Sequence, residues 1–238
     1  MDFRKLFLLF IIYSMAGWAI EVVNCKIINK RWINRGFLIG SYCPIYGCGG
    51  ILMTLLISNN NDIVSTFLKA MAICSLVEYI TSYLMEKLFK TRWWDYSEKK
   101  YNVNGRICLQ TMAMFGLGGI IIVKIAAPIL IWELNSLPNI WLNILFCIVF
   151  ILFMSDLIVS YNIINSFKKV PTTLRKDSTE EITKKVKETL TEKNYLYKRL
   201  LNSFPDFQSL YKGYDRRITK QIKKIKKEKE KLKKMMKK

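Results

Sequence analysis

Five apolar stretches, each long enough to cross a bilayer, constrain this chain more than any other feature. A hydrocarbon core of about 30 Å takes about 20 apolar residues as helix. Leu6–Val23, Phe37–Ile57, Ile63–Met85, Ile107–Trp132 and Leu137–Tyr161 all come near that length. In lipid every backbone N–H and C=O must be satisfied within the protein, so segments of this composition form helices. The breaks between them hold Asn-Lys-Arg, Ser-Asn-Asn-Asn-Asp, a charged Trp-Trp-Asp-Tyr segment and Asn-Ser-Leu-Pro. The expected fold is all-α: a polytopic membrane bundle of about five transmembrane helices with a basic helical cytoplasmic tail.

Arg4 and Lys5 precede the first apolar run, and Ser14-x-Ala16 has the form of a cleavage site. The run nevertheless continues past Trp18 to Val23, which favours a retained helix over a removed signal peptide. Orientation follows from loop charge. Lys26, Lys30, Arg31 and Arg35 lie between the first two spans; Lys87, Lys90, Arg92, Lys99, Lys100 and Arg106 lie between the third and fourth. The other two loops contain only Asp62 and Glu133 as charges. The expected arrangement is a multi-pass protein of a bacterial cell membrane, N-terminus outside and tail in the cytoplasm.

The chain divides into a membrane domain, residues 1–165, and a lysine-rich tail, residues 166–238. The tail carries 24 basic and 9 acidic residues and so most of the net charge of +20. Ser178-x-x-Glu181 has the form of a capping box. Beyond Phe204-Pro205-Asp206-Phe207, Tyr211, Ile218, Ile225 and Leu232 recur every seven residues. That stripe fits a short coiled coil, a helical hairpin or an amphipathic helix on anionic lipid headgroups. Nucleic acid is not an expected partner, because no aromatic-interleaved motif accompanies the charge. The chain has no histidine, and Cys43-x4-Cys48 therefore lacks a partner for a zinc site. Neither a metal nor another cofactor is expected, and the six cysteines read as reduced, lipid-buried thiols.

Three spans carry a carboxylate: Glu21, Glu78 and Asp156. A charge at bilayer depth costs about 2.5–3.5 kcal/mol on insertion scales and rarely persists without a partner or a task. At 1.5 Å per residue, Glu78 falls about 10 Å, Asp156 about 8 Å and Glu21 about 4 Å inside the cytoplasmic ends of their spans. Tyr42, Tyr46, Gln110 and Thr111 fall in the same leaflet, with Arg35 and Arg106 at the rim. The expectation is a polar vestibule open to the cytosol. Its candidate substrate or coupling residues are Glu21, Arg35, Tyr46, Glu78, Asp95, Arg106 and Asp156. The structural alternative is that the arginines pair with these acids and simply hold the bundle together. Lys69 and Lys124, near the opposite ends of their spans, read as snorkelling side chains.

Two segments stand out. Residues 34–50 place Pro44, Gly47, Gly49 and Gly50 in a span, so an irregular helix is expected there, and Gly36-x-x-x-Gly40 permits close helix contact. Residues 93–108 mix aromatics and charge as an interfacial re-entrant hairpin would, with Asp95 and Arg106 placed to pair across it. Tyr13-x3-Gly17-Trp18-x2-Glu21, Asn34-Arg-Gly-Phe-Leu, Cys43-Pro-Ile-Tyr-Gly, Trp94-Asp-Tyr-Ser and Asn104-Gly-Arg-Ile-Cys occur in that order. In these motifs, over about residues 3–160, the chain resembles the CmpB-type ABC transporter permeases of Gram-positive bacteria. The resemblance implies an integral membrane protein of a transporter class, with no assigned substrate or site residues to carry over.

The chain contains no G-x-x-x-x-G-K-[ST] phosphate loop, so a permease of this kind needs a separate ATPase subunit. Five spans make a small half-transporter, which favours a homo-oligomer or a second membrane subunit. Three functions follow: a transport component without its own ATPase, a scaffold recruiting an anionic partner through its tail, and an inner-leaflet lipid-modifying enzyme. The enzyme reading lacks both a recognisable catalytic pair and a histidine. In the transport reading, Glu78→Gln or Asp156→Asn abolishes transport and leaves insertion intact.

Overall fold

A computed structural model of the chain describes residues 1–30, 32, 36, 38–89 and 94–173. The tail helices and heptad stripe expected beyond residue 173 lie outside the described residues, as does Arg35. The described chain is helical, with four helices long and apolar enough to cross a membrane and a shorter apolar one.

Local chemistry sets the helix boundaries. Helix α1, Phe3–Asn29, begins where the Asp2 side chain accepts from the backbone N–H of Arg4, and it ends at Lys30 in the left-handed conformation. Helix α2, Pro44–Leu56, starts with Pro44, whose missing N–H costs nothing in the first turn. Helix α3, Ile63–Phe89, is capped by Asp62, which accepts from Ser65 N at 2.8 Å. A two-residue antiparallel pair, β1 (Asn102–Val103) and β2 (Ile107–Cys108), precedes α4 (Leu109–Ile121). A π-helical turn, Ile122–Ala126, joins α4 to α5, Ala127–Ser136. Pro128 accounts for the turn, because it cannot donate to the preceding turn and its ring crowds the carbonyl four residues back. Helix α6 runs from Asn139 to Thr173.

The second span differs from its expected limits. Instead of a helix over Phe37–Ile57, residues 38–43 are non-helical and α2 has 13 residues, about 20 Å of helix. Gly36 and Gly40 thus flank an irregular approach rather than a helix-packing face. Pro44 sets the boundary, because it cannot donate to a preceding turn and disfavours helix at the residue before it; residues 39–42 bond to α6 instead.

Small residues allow α2 to sit against α1. A Cβ on Gly47 would overlap Ser14 and Phe10, and one on Gly17 would overlap the Tyr46 ring. Leu8, Leu9, Tyr13, Leu134 and Leu142 form one buried cluster, and Met53, Ile57, Ala70, Cys74 and Val123 a second. Phe7 ties α1 to α6 through edge contacts with Phe146, Phe150 and Phe153 at 5.3–5.8 Å between ring centroids. Lys124 does more than snorkel: its ammonium donates to the carbonyls of Asn59 and Asn61, closing the α2–α3 loop onto the π turn.

Candidate functional site

Polar side chains gather at the end of the bundle where α1 and α3 finish, around the β1–β2 hairpin. Glu78 on α3 is 4% exposed. A carboxylate buried to that degree must receive hydrogen bonds. Tyr96 Oη donates to Glu78 Oε1 at 3.1 Å, and Thr111 Oγ1 lies 3.4 Å from Oε2. Glu21 on α1 accepts from Tyr46 Oη at 2.5 Å. That ring lies on Gly17, so the bare backbone one turn before Glu21 makes room for the phenol that binds it. The two acids belong to one electrostatic unit. Burial first, then the carboxylate of Glu78 and that of Glu21, push the Tyr96 hydroxyl well above its ordinary range. The phenol accordingly stays a donor.

The hairpin holds Tyr96 in place. Asn104 and Gly105 both take positive φ, 53° and 68°, the geometry a primed tight turn requires, and Arg106 N donates to Val103 O at 3.0 Å. Tyr96 N donates to Gly105 O at 2.8 Å, and Trp94 Nε1 to Arg106 O at 3.1 Å. Arg106 then docks the hairpin on α3. Its guanidinium bridges to Glu86 at 2.7 Å, reaches Ser82 Oγ at 3.3 Å and lies over the rings of Tyr79 and Tyr83. Asn104 adds a bond to Tyr79 Oη at 3.0 Å. Glu78, Ser82 and Glu86 are spaced by four, so one stripe of α3 carries both the buried acid and the docking points.

Asp156 has another environment. Its Oδ1 accepts from Ile39 N at 2.9 Å and Ser160 Oγ at 2.8 Å; its Oδ2 accepts from Gly40 N at 2.6 Å and Tyr42 Oη at 2.5 Å. Four donors saturate the carboxylate and tie the non-helical entry of α2 to α6. The helix boundary itself is set by Pro44, which disfavours helix at the residue before it.

Of the residues singled out by sequence, Glu21, Tyr46 and Glu78 come together. Asp156 is engaged with residues 39–42. Arg106 bridges to Glu86 rather than to any of the three acids or Asp95. Asp95 is exposed in the loop and accepts from Ser97 N and Oγ. Sequence reasoning missed Tyr96, Ser82, Glu86 and Ser160. The four-residue spacing of Glu78, Ser82 and Glu86, and of Asp156 and Ser160, was the available signal. Among the described residues, no three of His, Cys, Asp and Glu converge as metal ligands would. Chemically, the Glu21–Glu78 locus offers two carboxylates and three hydroxyls. That set suits a proton or a cationic group.

A family model described as Putative ABC-transporter type IV matches residues 8–161. No curated protein and no solved structure matches the chain.

Proposed function

Because the chain belongs to the Putative ABC-transporter type IV family, we propose that it is a permease-like membrane component of a transporter whose ATPase is a separate subunit. The observation that carries this reading is the Glu21–Glu78 pair, held inside a bundle of membrane-length helices by Tyr46, Tyr96 and Thr111. Intramembrane carboxylates are expensive and cluster on substrate and ion pathways. In this reading Glu21 and Glu78 receive the cationic group or proton that moves, and Tyr96 completes the locus from the hairpin. The loop-charge asymmetry supports a cytoplasmic hairpin end. On this reading the hairpin and the basic tail face the compartment that holds the ATPase.

The test is recovery of the protein from native membranes in mild detergent after light cross-linking, with a photoreactive ATP analogue present. The expected result is a labelled ATP-binding subunit in the cross-linked complex. Recovery of self-associated protein alone, at every cross-linker level, would overturn the proposal.

A further inference from the structure

A shallow groove of about 360 Å³ opens at the foot of α4, lined by Lys99, Lys100, Tyr101, Leu109, Gln110 and Ala113. It lies outside the acid pair and has its own construction. Lys99 N closes a turn onto Tyr96 O at 2.8 Å, and Asn102 Nδ2 holds Lys99 O at 2.7 Å. Tyr101, at φ 54°, reverses the chain, and its carbonyl accepts from Leu109 N at 3.1 Å. This fixed backbone sets two adjacent lysines beside the first turn of a membrane-length helix. Among the described residues neither ammonium forms an ion pair.

An apolar track leads away from the groove. Leu109, Leu117, Ile121 and Ile125 recur at four- or eight-residue spacing on one face of α4 and the following turn. They are 49%, 54%, 58% and 55% exposed, and Met114 beside them is 65% exposed. The track is exposed along a membrane-length helix, and its foot carries two cations with a tyrosine and a glutamine amide. Cation at the interface and apolar face below it complement one kind of molecule, an anionic phospholipid.

We propose that this groove binds an anionic phospholipid. The phosphate sits between Lys99 and Lys100, the glycerol backbone meets Tyr101 and Gln110, and an acyl chain lies along Leu109, Leu117 and Ile121. This binding does not depend on the transport reading.

The test uses the full chain in nanodiscs of mixed phosphatidylglycerol and phosphatidylcholine, with a trace of phosphatidylglycerol bearing a photoreactive headgroup. Peptide mapping after irradiation separates this groove from the basic tail. Labelling within residues 97–113 is expected to fall about tenfold in the Lys99→Gln/Lys100→Gln pair. It should persist in Lys99→Arg/Lys100→Arg, which controls for folding. Three results would overturn the proposal: unchanged labelling in the glutamine pair, equal labelling by a phosphatidylcholine probe, or loss of labelling on adding millimolar glycerol phosphate, which would make the ligand a soluble phosphate.

Discussion

Replacing Asp156 by asparagine separates an anchoring carboxylate from a transporting one. The wild-type group accepts four hydrogen bonds, two on each oxygen, and all four come from donors. Asparagine keeps one accepting oxygen and turns two N–H donors toward the other pair. Two bonds are lost, and donors then face donors. Hydrogen bonds to a charged acceptor contribute about 1.5–3 kcal/mol each, and partial access to water at this half-buried site returns part of that, leaving about 2–4 kcal/mol. For a chain of this size the loss lowers a thermal midpoint by about 4–16 °C. The assay is thermal unfolding of detergent-solubilised protein followed by size-exclusion fluorescence. Proteolysis should also find new cleavage between residues 38 and 43, because Ile39, Gly40 and Tyr42 lose their anchor. An unchanged midpoint with unchanged cleavage would refute this reasoning and return Asp156 to the transport pathway.

Gly17→Ala places a methyl in the Tyr46 ring; overpacking of this kind costs about 1–3 kcal/mol and displaces the phenol from Glu21. Thermal unfolding should show the loss, and an unaltered midpoint would contradict the close approach. Arg106→Gln removes the Glu86 bridge, a partly exposed pair contributing about 1 kcal/mol or less, together with the ring contacts. Its clearest readout is faster maleimide labelling of Cys108, which is 1% exposed in the docked hairpin; an unchanged labelling rate would contradict the docking role. Tyr96 gives a pH prediction. Its proton is held above the ordinary value of 10.0 in the folded protein, so its contribution to stability is fully present below pH 10 and is lost as pH rises beyond it. Absorbance titration between pH 9 and 11 should count the same number of ionising tyrosines in wild type and Tyr96→Phe. One fewer in the variant would contradict the burial of that phenol.

Much of the architecture was legible because lipid leaves a helical segment few alternatives. The apolar lengths located α1, α3, α6 and the α4–α5 span, but the irregularity expected at Pro44, Gly47, Gly49 and Gly50 falls before them, over residues 38–43, and α2 itself is regular helix from Pro44 to Leu56. The start of α2 was half legible: Pro44 is a local stop for any preceding helix, but the apolar run continues across it. The anchoring of residues 39–42 was not legible, because it depends on Asp156, 117 residues from Ile39. The acid pair was half legible. Glu21 and Glu78 announce themselves as charges in apolar runs, but helix rotation decides whether they meet, and the apolar pattern does not fix rotation. Tyr96 was hidden because its sequence context reads as interface, and only the turn at Asn104-Gly105 folds it back onto α3. Arg106 shows the converse. A rim cation invites pairing with the nearest candidate acid, yet the docked hairpin brings it to Glu86, on a part of α3 that carried no expectation.

The measurement that bears most directly on the central claim is ATP turnover by the cross-linked and purified complex in lipid vesicles, comparing wild type with Glu78→Gln. The account predicts that both assemble with the ATP-binding subunit and that substrate-coupled hydrolysis is lost in Glu78→Gln. Equal coupled turnover in the two complexes would contradict a working role for the acid pair.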